Sequence, residues 1–160
     1  MQPFELAIAD VGGALRVHSL RGKEAMSRAW QFDVIASGPS GDELERLALG
    51  QQATLVVQIG DRCRALYGVV AAVEVEEAHR IERETKYLFR LVPRLWLLKQ
   101  RRRTRIFQGM RVPDIVASVL REVGIATRWA LVRAYPAREY CTQYEESDYE
   151  FVRRILAEAG

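Results

Sequence analysis

The sequence predicts a mainly β protein with short helices, an α+β fold, and two observations support this class. Short segments rich in β-branched and aromatic residues recur at spacings near ten residues, and within them apolar and polar side chains alternate, a pattern typical of barrels and sandwiches. Two or three stretches with helical spacing of apolar residues interrupt these segments. Of the 160 residues 49% are hydrophobic, which indicates a globular chain of one domain or two small ones.

Alternation of apolar and polar residues predicts four strands in the first part of the chain. β-Branched and apolar composition predicts a fifth, and a hairpin turn at Gly60 and Asp61 predicts its return strand. Gly22 to Ser27 is expected to break the alternation, and Gly68 is a plausible site for a β-bulge. The predicted strands are Phe4 to Ile8, Leu15 to Leu20, Trp30 to Val34, Thr54 to Ile59, Arg64 to Val75 and Tyr87 to Val92.

A loop and a short helix are predicted between the third and fourth strands. The residues from Ser37 to Asp42 are rich in glycine, serine and proline and indicate a loop. Asp42 can cap a helix from Glu43 to Leu49, and Gly50 is placed to end it. Its expected inward side chains are Leu44, Leu47 and Ala48.

Two charged segments stand out. The segment from Glu74 to Lys86 mixes both signs and predicts an exposed hairpin tip, with a partner contact as the alternative. After an apolar turn at Leu95 to Leu98, a basic run follows at Lys99, Arg101, Arg102, Arg103 and Arg105. It is short and lacks interleaved aromatic residues, which favours a solvated strand edge or a protein interface over a nucleic-acid site.

The last part of the chain predicts two helices joined by extended chain. Pro113 suits the first position of a helix that runs to Val123, with Gly124 and Ile125 closing it. Ala126 to Val132 is expected to be extended, and Tyr140 to Tyr144 is rich in β-formers. Glu145 to Ser147 should then form a turn. Ser147 and Glu150 have capping-box spacing at the start of a helix that places Phe151, Val152 and Ile155 on one apolar face.

Several function classes lack support in the sequence. Glu145, Glu146 and Asp148 lie close together, but carboxylates before a helix are usually caps, and no nucleophile with its base is nearby. Neither a nucleophile elbow nor a phosphate loop is present. His18, His79, Cys63 and Cys141 are too scattered for a zinc motif, and the cysteines are expected to be reduced. We therefore predict no catalytic residues, cofactor or metal.

Near the end of the chain, residues 138–154 read Arg-Glu-Tyr-Cys-Thr-Gln-Tyr-Glu-Glu-Ser-Asp-Tyr-Glu-Phe-Val-Arg-Arg. This long stretch resembles VgrG proteins, the spike proteins of bacterial type VI secretion. Further blocks that resemble the family are Tyr87 to Leu98, Arg105 to Gln108 and Val112 to Val116. The residues that carry this resemblance as structural motif positions are Arg105, Phe107, Gln108, Tyr140, Gln143, Tyr144, Glu146, Ser147, Asp148 and Phe151.

The resemblance implies a non-enzymatic hub built from small β-barrels like those of contractile phage tails. Residues 1–95 would form the first barrel domain. Residues 96–160 would begin a second, related barrel that is incomplete in this fragment, with helices near 113–123 and 148–159. A hub of a phage or phage-like tail is the alternative.

The resemblance also implies partners and a location. The full protein would be a homotrimer that caps a hexameric tube protein similar to Hcp. A spike tip protein, effectors or adaptors would bind through regions not present here. Lys99, Arg101, Arg102 and Arg103 are candidate partner contacts. No nucleic acid and no membrane-spanning segment is expected. Assembly would occur in the bacterial cytoplasm, followed by export through the type VI apparatus without a signal peptide.

Overall fold

The protein is mostly β with a few helices, which confirms the α+β class. A computed structural model describes residues 3–12, 15–39, 42–78 and 84–160. It divides into two compact units, one up to Pro93 and one from Arg94 onward.

The first unit is a six-stranded antiparallel sheet with strand order β1-β4-β5-β6-β3-β2. Apolar residues alternate along its strands, so one face of each strand is buried. The elements are β1 Phe4–Ile8, β2 Arg16–Lys23, β3 Gln31–Pro39, α1 Asp42–Ala48, β4 Gln52–Ile59, β5 Arg62–Ala78 and β6 Glu84–Val92.

The sheet is curled like half of a barrel, and its two outer strands approach each other. An isolated bridge joins Leu6 in β1 to Leu15, the residue before β2. The concave side holds a core that includes the fully buried Val34 and Phe89. Curling therefore lets a single sheet enclose its own apolar face.

Strands β2 and β3 are among those that run further than the sequence predicts. Gly22 does not break β2, because β2 pairs with β3 as far as Lys23 opposite Gln31. A Cβ atom at Gly22 would lie 2.1 Å from the ring of Phe32, so this glycine makes room for an aromatic side chain. The predicted loop at Ser37 to Asp42 is shorter, since β3 continues to Pro39 and pairs with β6. The middle of that loop, residues 40–41, lies outside the described residues.

Helix α1 buries Leu44 and Ala48, but Leu47 is exposed, which corrects its predicted inward position. A seven-residue helix can bury only a narrow stripe of side chains, and Leu44 and Ala48 occupy that stripe. Gly50 follows with φ of +80°, the left-handed conformation that ends helices.

The predicted bulge at Gly68 is wrong. The register between β5 and β6 shifts at Val70/Ala72 and at Val75/Glu77 instead. A Cβ atom at Gly68 would lie 2.3 Å from the carbonyl oxygen of Val92 and 2.6 Å from Trp30 Cη2. Glycine is needed there for close packing, and the pairing with β4 stays regular.

The predicted charged hairpin tip falls partly outside the described residues, because positions 79–83 are not described, and its other residues lie in β5 and β6. On the flanking strands, Glu74, Glu76 and Glu84 are exposed and Lys86 is half-buried. The charged ends of β5 and β6 therefore carry solvated side chains.

The second unit is a two-stranded antiparallel sheet with helices. Fully buried Ile115 and Val119 of the first helix and Phe151 and Ile155 of the last helix contribute to its core. The elements are a 3₁₀ helix at Arg94–Gln100, β7 Arg102–Arg111, α2 Val112–Arg121, β8 Ala137–Ser147 and α3 Asp148–Ala159.

At the ends of α2, the predicted start is shifted by one residue and the predicted closure is confirmed. Arg111 is the N-cap, so Pro113 takes the second helical position instead of the first. At the other end Gly124 has φ of +67°, and the Ile125 N–H donates to the Leu120 carbonyl at 3.0 Å, which confirms the predicted closure. Residues 125–136, including the predicted extended segment Ala126 to Val132, contain no strand.

The predicted turn at Glu145 to Ser147 is a β-bulge. Strand β8 continues through Ser147, which pairs with Arg102. Glu145 has φ of +45°, and two β8 residues lie opposite Thr104 where the register shifts. The Glu145 N–H donates to the Thr104 hydroxyl at 3.2 Å, so the extra residue is held against β7.

Candidate functional site

The motif residues near the end of the chain converge where β8 passes into α3. Ser147 is the last residue of β8 and also the N-cap of α3. Asp148 is therefore the first helical residue, and its side chain is fully buried. A buried carboxylate is stable only when charged and polar partners surround it, so its neighbours define the site.

Three side chains compensate the Asp148 carboxylate. Arg105 donates from Nη2 to Oδ1 at 3.0 Å, and Gln143 donates from Nε2 to the same oxygen at 2.9 Å. Arg101 Nε lies 3.4 Å from Oδ2. The Asp148 backbone N–H also donates to the Arg101 carbonyl at 2.8 Å. The carboxylate thereby ties α3 to both strands of the sheet.

Arg105 uses its other nitrogens to extend this network. Its Nε donates to Gln143 Oε1 at 2.8 Å, and Nη1 donates to Glu122 Oε1 at 2.7 Å. Gln143 is fully buried, and its Nε2 also donates to the Glu146 carbonyl at 3.1 Å. The planar guanidinium thus fixes three acceptors at once.

Glu122, just after α2, forms ion pairs with the three odd-numbered arginines of the basic run. Its carboxylate lies 2.9 Å from Arg101 and 3.2 Å from Arg103, in addition to Arg105. Partial burial would raise the pKa of Glu122, but the hydrogen bonds and charges of the arginines outweigh it and hold that pKa below its ordinary value. Sequence reasoning missed Glu122, because no local pattern marks it as a partner.

The predicted capping box is present. The Glu150 N–H donates to Ser147 Oγ at 3.1 Å, and the Ser147 N–H donates to Glu150 Oε2 at 3.2 Å. These Ser147 hydrogen bonds hold the pKa of Glu150 below its ordinary value. Glu146 pairs with Arg154 on the outer side of α3. The start of α3 is therefore fixed by local and long-range contacts together.

An aromatic pair lies beside this network. The rings of Phe107 in β7 and Phe151 in α3 stack with centroids 5.5 Å apart and planes inclined by 9°. The Arg105 guanidinium carbon lies 5.1 Å from the centroid of the Phe107 ring. The structure thus brings Arg105, Phe107 and Phe151 into one packed group.

The remaining motif residues are not part of this group. Gln108, Tyr140 and Tyr144 are exposed on β7 and β8, with Tyr140 paired opposite Gln108. Ile106 is also exposed.

The candidate partner contacts divide into two kinds. Arg101 and Arg103 pair with Glu122, as described. Lys99 Nζ lies 4.9 Å from the Tyr149 ring centroid and 5.9 Å from that of Trp96, and Arg102 donates to the Glu145 carbonyl from two nitrogens. Two of these four candidate contacts thus pair with a carboxylate within the chain.

Most polar side chains of this site are committed to contacts within the chain. Arginines occupy the Glu122 carboxylate and Oδ1 of Asp148, whereas Asp148 Oδ2 is 3.4 Å from Arg101 Nε and accepts no hydrogen bond from the described residues. Cys63 is exposed and Cys141 buried, and neither forms a disulfide. Within the described ranges, no three His, Cys, Asp or Glu residues are grouped to hold a metal ion. Nor does any helix there have the length and apolar character that crossing a membrane requires.

Comparison with known proteins gives concordant similarities. Residues 23–160 match the family described as phage tail baseplate hub (GPD). The type VI secretion system spike protein VgrG4b of Pseudomonas aeruginosa is 37% identical over 161 residues, which cover 98% of this chain and 19% of that protein.

Two solved structures are also similar. The E. coli c3393 protein, described as a type VI secretion component with structural similarity to T4 tail proteins gp27 and gp5, matches with a TM-score of 0.83 and 30% identity, covering 96% of this chain and 43% of that one. The prophage MuSo2 43 kDa tail protein of Shewanella oneidensis shares the fold, with a TM-score of 0.60, 14% identity and coverage of 98% and 50%. The chain spans only about a fifth of the length of the spike protein that it matches.

Proposed function

This chain belongs to the phage tail baseplate hub family, and we propose on that basis that it is the hub portion of a type VI secretion spike. In the proposed assembly three copies of the whole protein form a trimer that caps a hexameric tube protein and carries effectors into target cells. The observation that supports this role most strongly is the similarity to VgrG4b along 98% of the chain.

The geometry of the second unit supports a structural role. Arg105, Gln143, Ser147 and Asp148, all residues of the spike-like motif, are committed to internal hydrogen bonds that join strand to helix. Side chains held in this way preserve a shape. We infer that the hub portion performs no catalysis and that its work is the presentation of a fixed surface to other subunits.

The trimer follows from the same proposal. The two-stranded sheet of the second unit has one unpaired edge on each strand within the described residues, and such edges are usually covered in an assembled protein. Further residues of the whole protein, or neighbouring subunits in a closed ring, can cover them. Two related barrels per subunit would give a trimer six similar units with which to face a sixfold tube.

The experiment that tests this function uses the whole protein that contains this chain. Its mass is measured by light scattering, and it is then mixed with the tube protein of the same bacterium and sedimented. We expect a trimer that sediments with tube rings, and a matched sample without tube protein should stay in the supernatant. A stable monomer that does not associate with tube rings would contradict the hub function.

A hub of a phage-like contractile tail is the second candidate. The family match and the fold shared with the Shewanella prophage tail protein favour it. The two candidates differ in their neighbours. Sheath and tube genes beside this gene, without genes for a type VI membrane complex, would favour the tail hub. The presence of membrane-complex genes would favour the secretion spike.

A further inference from the structure

Several cationic side chains of the second unit form no ion pair within the described residues, and three of them lie together. Lys99, Arg102 and Arg153 lie near the start of α3. Inside the described ranges none of them forms an ion pair with a carboxylate, whereas Arg101, Arg103 and Arg105 all pair with Glu122. The unpaired charges face one place, because all three residues line a single cavity of about 400 Å³. We call it the basic cavity.

Neutral groups hold these cations in position. Lys99 Nζ and the Arg153 guanidinium carbon lie 4.9 Å and 5.7 Å from the centroid of the Tyr149 ring. Arg102 donates from Nε at 3.1 Å and from Nη2 at 2.6 Å to the Glu145 carbonyl. Contacts with a ring and a carbonyl orient a cation but leave its net charge intact. The positive charges are therefore preorganised, which lowers the cost of binding an anion.

The cavity also contains one carboxylate, that of Glu150. This group accepts hydrogen bonds from the Ser147 N–H and hydroxyl at Oε2, and the charges of Arg102 and Arg153 also act on it. Three cations and one carboxylate leave a formal charge of +2 around the cavity. An incoming ligand would have to supply at least two negative charges to balance it.

We propose that the basic cavity is a docking site for an acidic segment of another protein, one that presents two or more neighbouring Asp or Glu side chains. Arg102 suits this ligand, because the guanidinium atoms not bound to Glu145 still offer donors to a carboxylate. The cations surround one cavity instead of following a stripe, which suits a compact pair of carboxylates better than an extended phosphate backbone. The proposal rests on the proposed function only in that the partner is a protein.

The test uses fluorescein-labelled octaglutamate as the probe and measures its anisotropy with the 160-residue chain at about 50 mM salt. The test variant combines Lys99→Gln, Arg102→Gln and Arg153→Gln. The matched control combines Arg16→Gln, Arg21→Gln and Lys23→Gln on β2. It removes the same number of lysines and arginines, all of them exposed, from the other unit of the chain.

We expect the parent to bind the probe, the test variant to lose about tenfold or more in affinity and the control to change by less than about twofold. An octathymidylate probe should bind more weakly to the parent than octaglutamate does. Equal losses in the test and control variants would overturn the proposal by showing that only net charge matters. So would tighter binding of the oligonucleotide, which would assign the cavity to nucleic acid.

Folding is checked by circular dichroism and urea denaturation of each variant. If the triple variant is unfolded, the exposed single change Arg153→Gln serves in its place, with Arg21→Gln as its control. A loss of about threefold or more in affinity is then expected for Arg153→Gln alone. Equal affinities of the Arg153→Gln and Arg21→Gln variants for the probe would overturn the proposal. This assay needs no trimer and no tube, so its failure can be distinguished from failure of the hub function.

Discussion

Arg105 and Asp148 are 43 positions apart in the sequence, yet Arg105 Nη2 donates to the buried Asp148 Oδ1 across 3.0 Å. One residue lies in the middle of β7 and the other begins α3. This pair decides how the last helix sits on the sheet of the second unit, and it gives the first prediction.

We expect Asp148→Ala to lower the free energy of unfolding of the second unit by about 3–5 kcal/mol, because it leaves Arg105 and Gln143 without their buried acceptor. Urea denaturation followed by circular dichroism measures the effect. Asp114→Ala is the matched control. It removes an exposed carboxylate from the first turn of α2 and should cost no more than about 1 kcal/mol. Equal costs for the two variants would show that the buried network adds nothing.

Ser147→Ala should lower the free energy of unfolding by about 0.5–2 kcal/mol, because the N–H of Glu150 loses its acceptor. Thermal unfolding of parent and variant provides the measurement. Ser147→Asn serves as the comparison, since asparagine is also a good N-cap, and it should recover part of the loss. A Ser147→Ala variant as stable as the parent would contradict the capping role.

Glu122 predicts a dependence of stability on pH. Its pKa is lower in the folded protein than its ordinary value of 4.5, so the folded state binds this proton less tightly than the unfolded state. The stabilisation is therefore fully present above pH 4.5 and is lost as the pH falls through the folded-state pKa.

The test compares the parent with Glu122→Gln in urea at a series of pH values from 7 to 3. The parent should be the more stable at pH 7, and the difference should shrink as the pH falls below 4.5. Other carboxylates are common to both proteins and cancel in the comparison. A difference that stays constant over the whole range would show that protonation of Glu122 is not linked to folding.

Gly68→Ala tests packing in the first unit. The added Cβ would lie 2.3 Å from the Val92 carbonyl oxygen, and a backbone atom cannot move aside cheaply. We expect a loss of about 1–3 kcal/mol in the free energy of unfolding, the usual cost of overpacking. At Gly12, where a Cβ would meet nothing within 4 Å, the same substitution should be nearly neutral. Similar melting temperatures for the two variants would contradict the close-packing role.

The features that the sequence predicts well are governed by neighbouring residues. The Ser147 and Glu150 capping box is complete within four positions, and the closure of α2 lies within the short stretch from Leu120 to Ile125. Alternation, β-branched composition and one hairpin turn likewise locate the strands of the first unit, because the buried face of a strand repeats every second residue and turns are short-range features.

The features that the sequence misses depend on distant residues. Gly22 and Gly68 look like breaks in a strand, but the partners that require glycine there, Phe32 and Val92, are known only once the strands are paired. The basic run likewise looks like a uniform charged surface in the sequence, because the carboxylate partner of its arginines is distant. Its division depends on Glu122, which lies 17 positions beyond Arg105.

Ser147 belongs at once to the last rung of β8 and to the cap of α3, so no loop separates the two elements. A tensile force along β8 would therefore reach α3 without first extending any slack chain. In an antiparallel pair the hydrogen bonds lie perpendicular to the strands, and such a force would shear the β7–β8 rungs together instead of opening them one at a time. The junction makes strand and helix a single mechanical element.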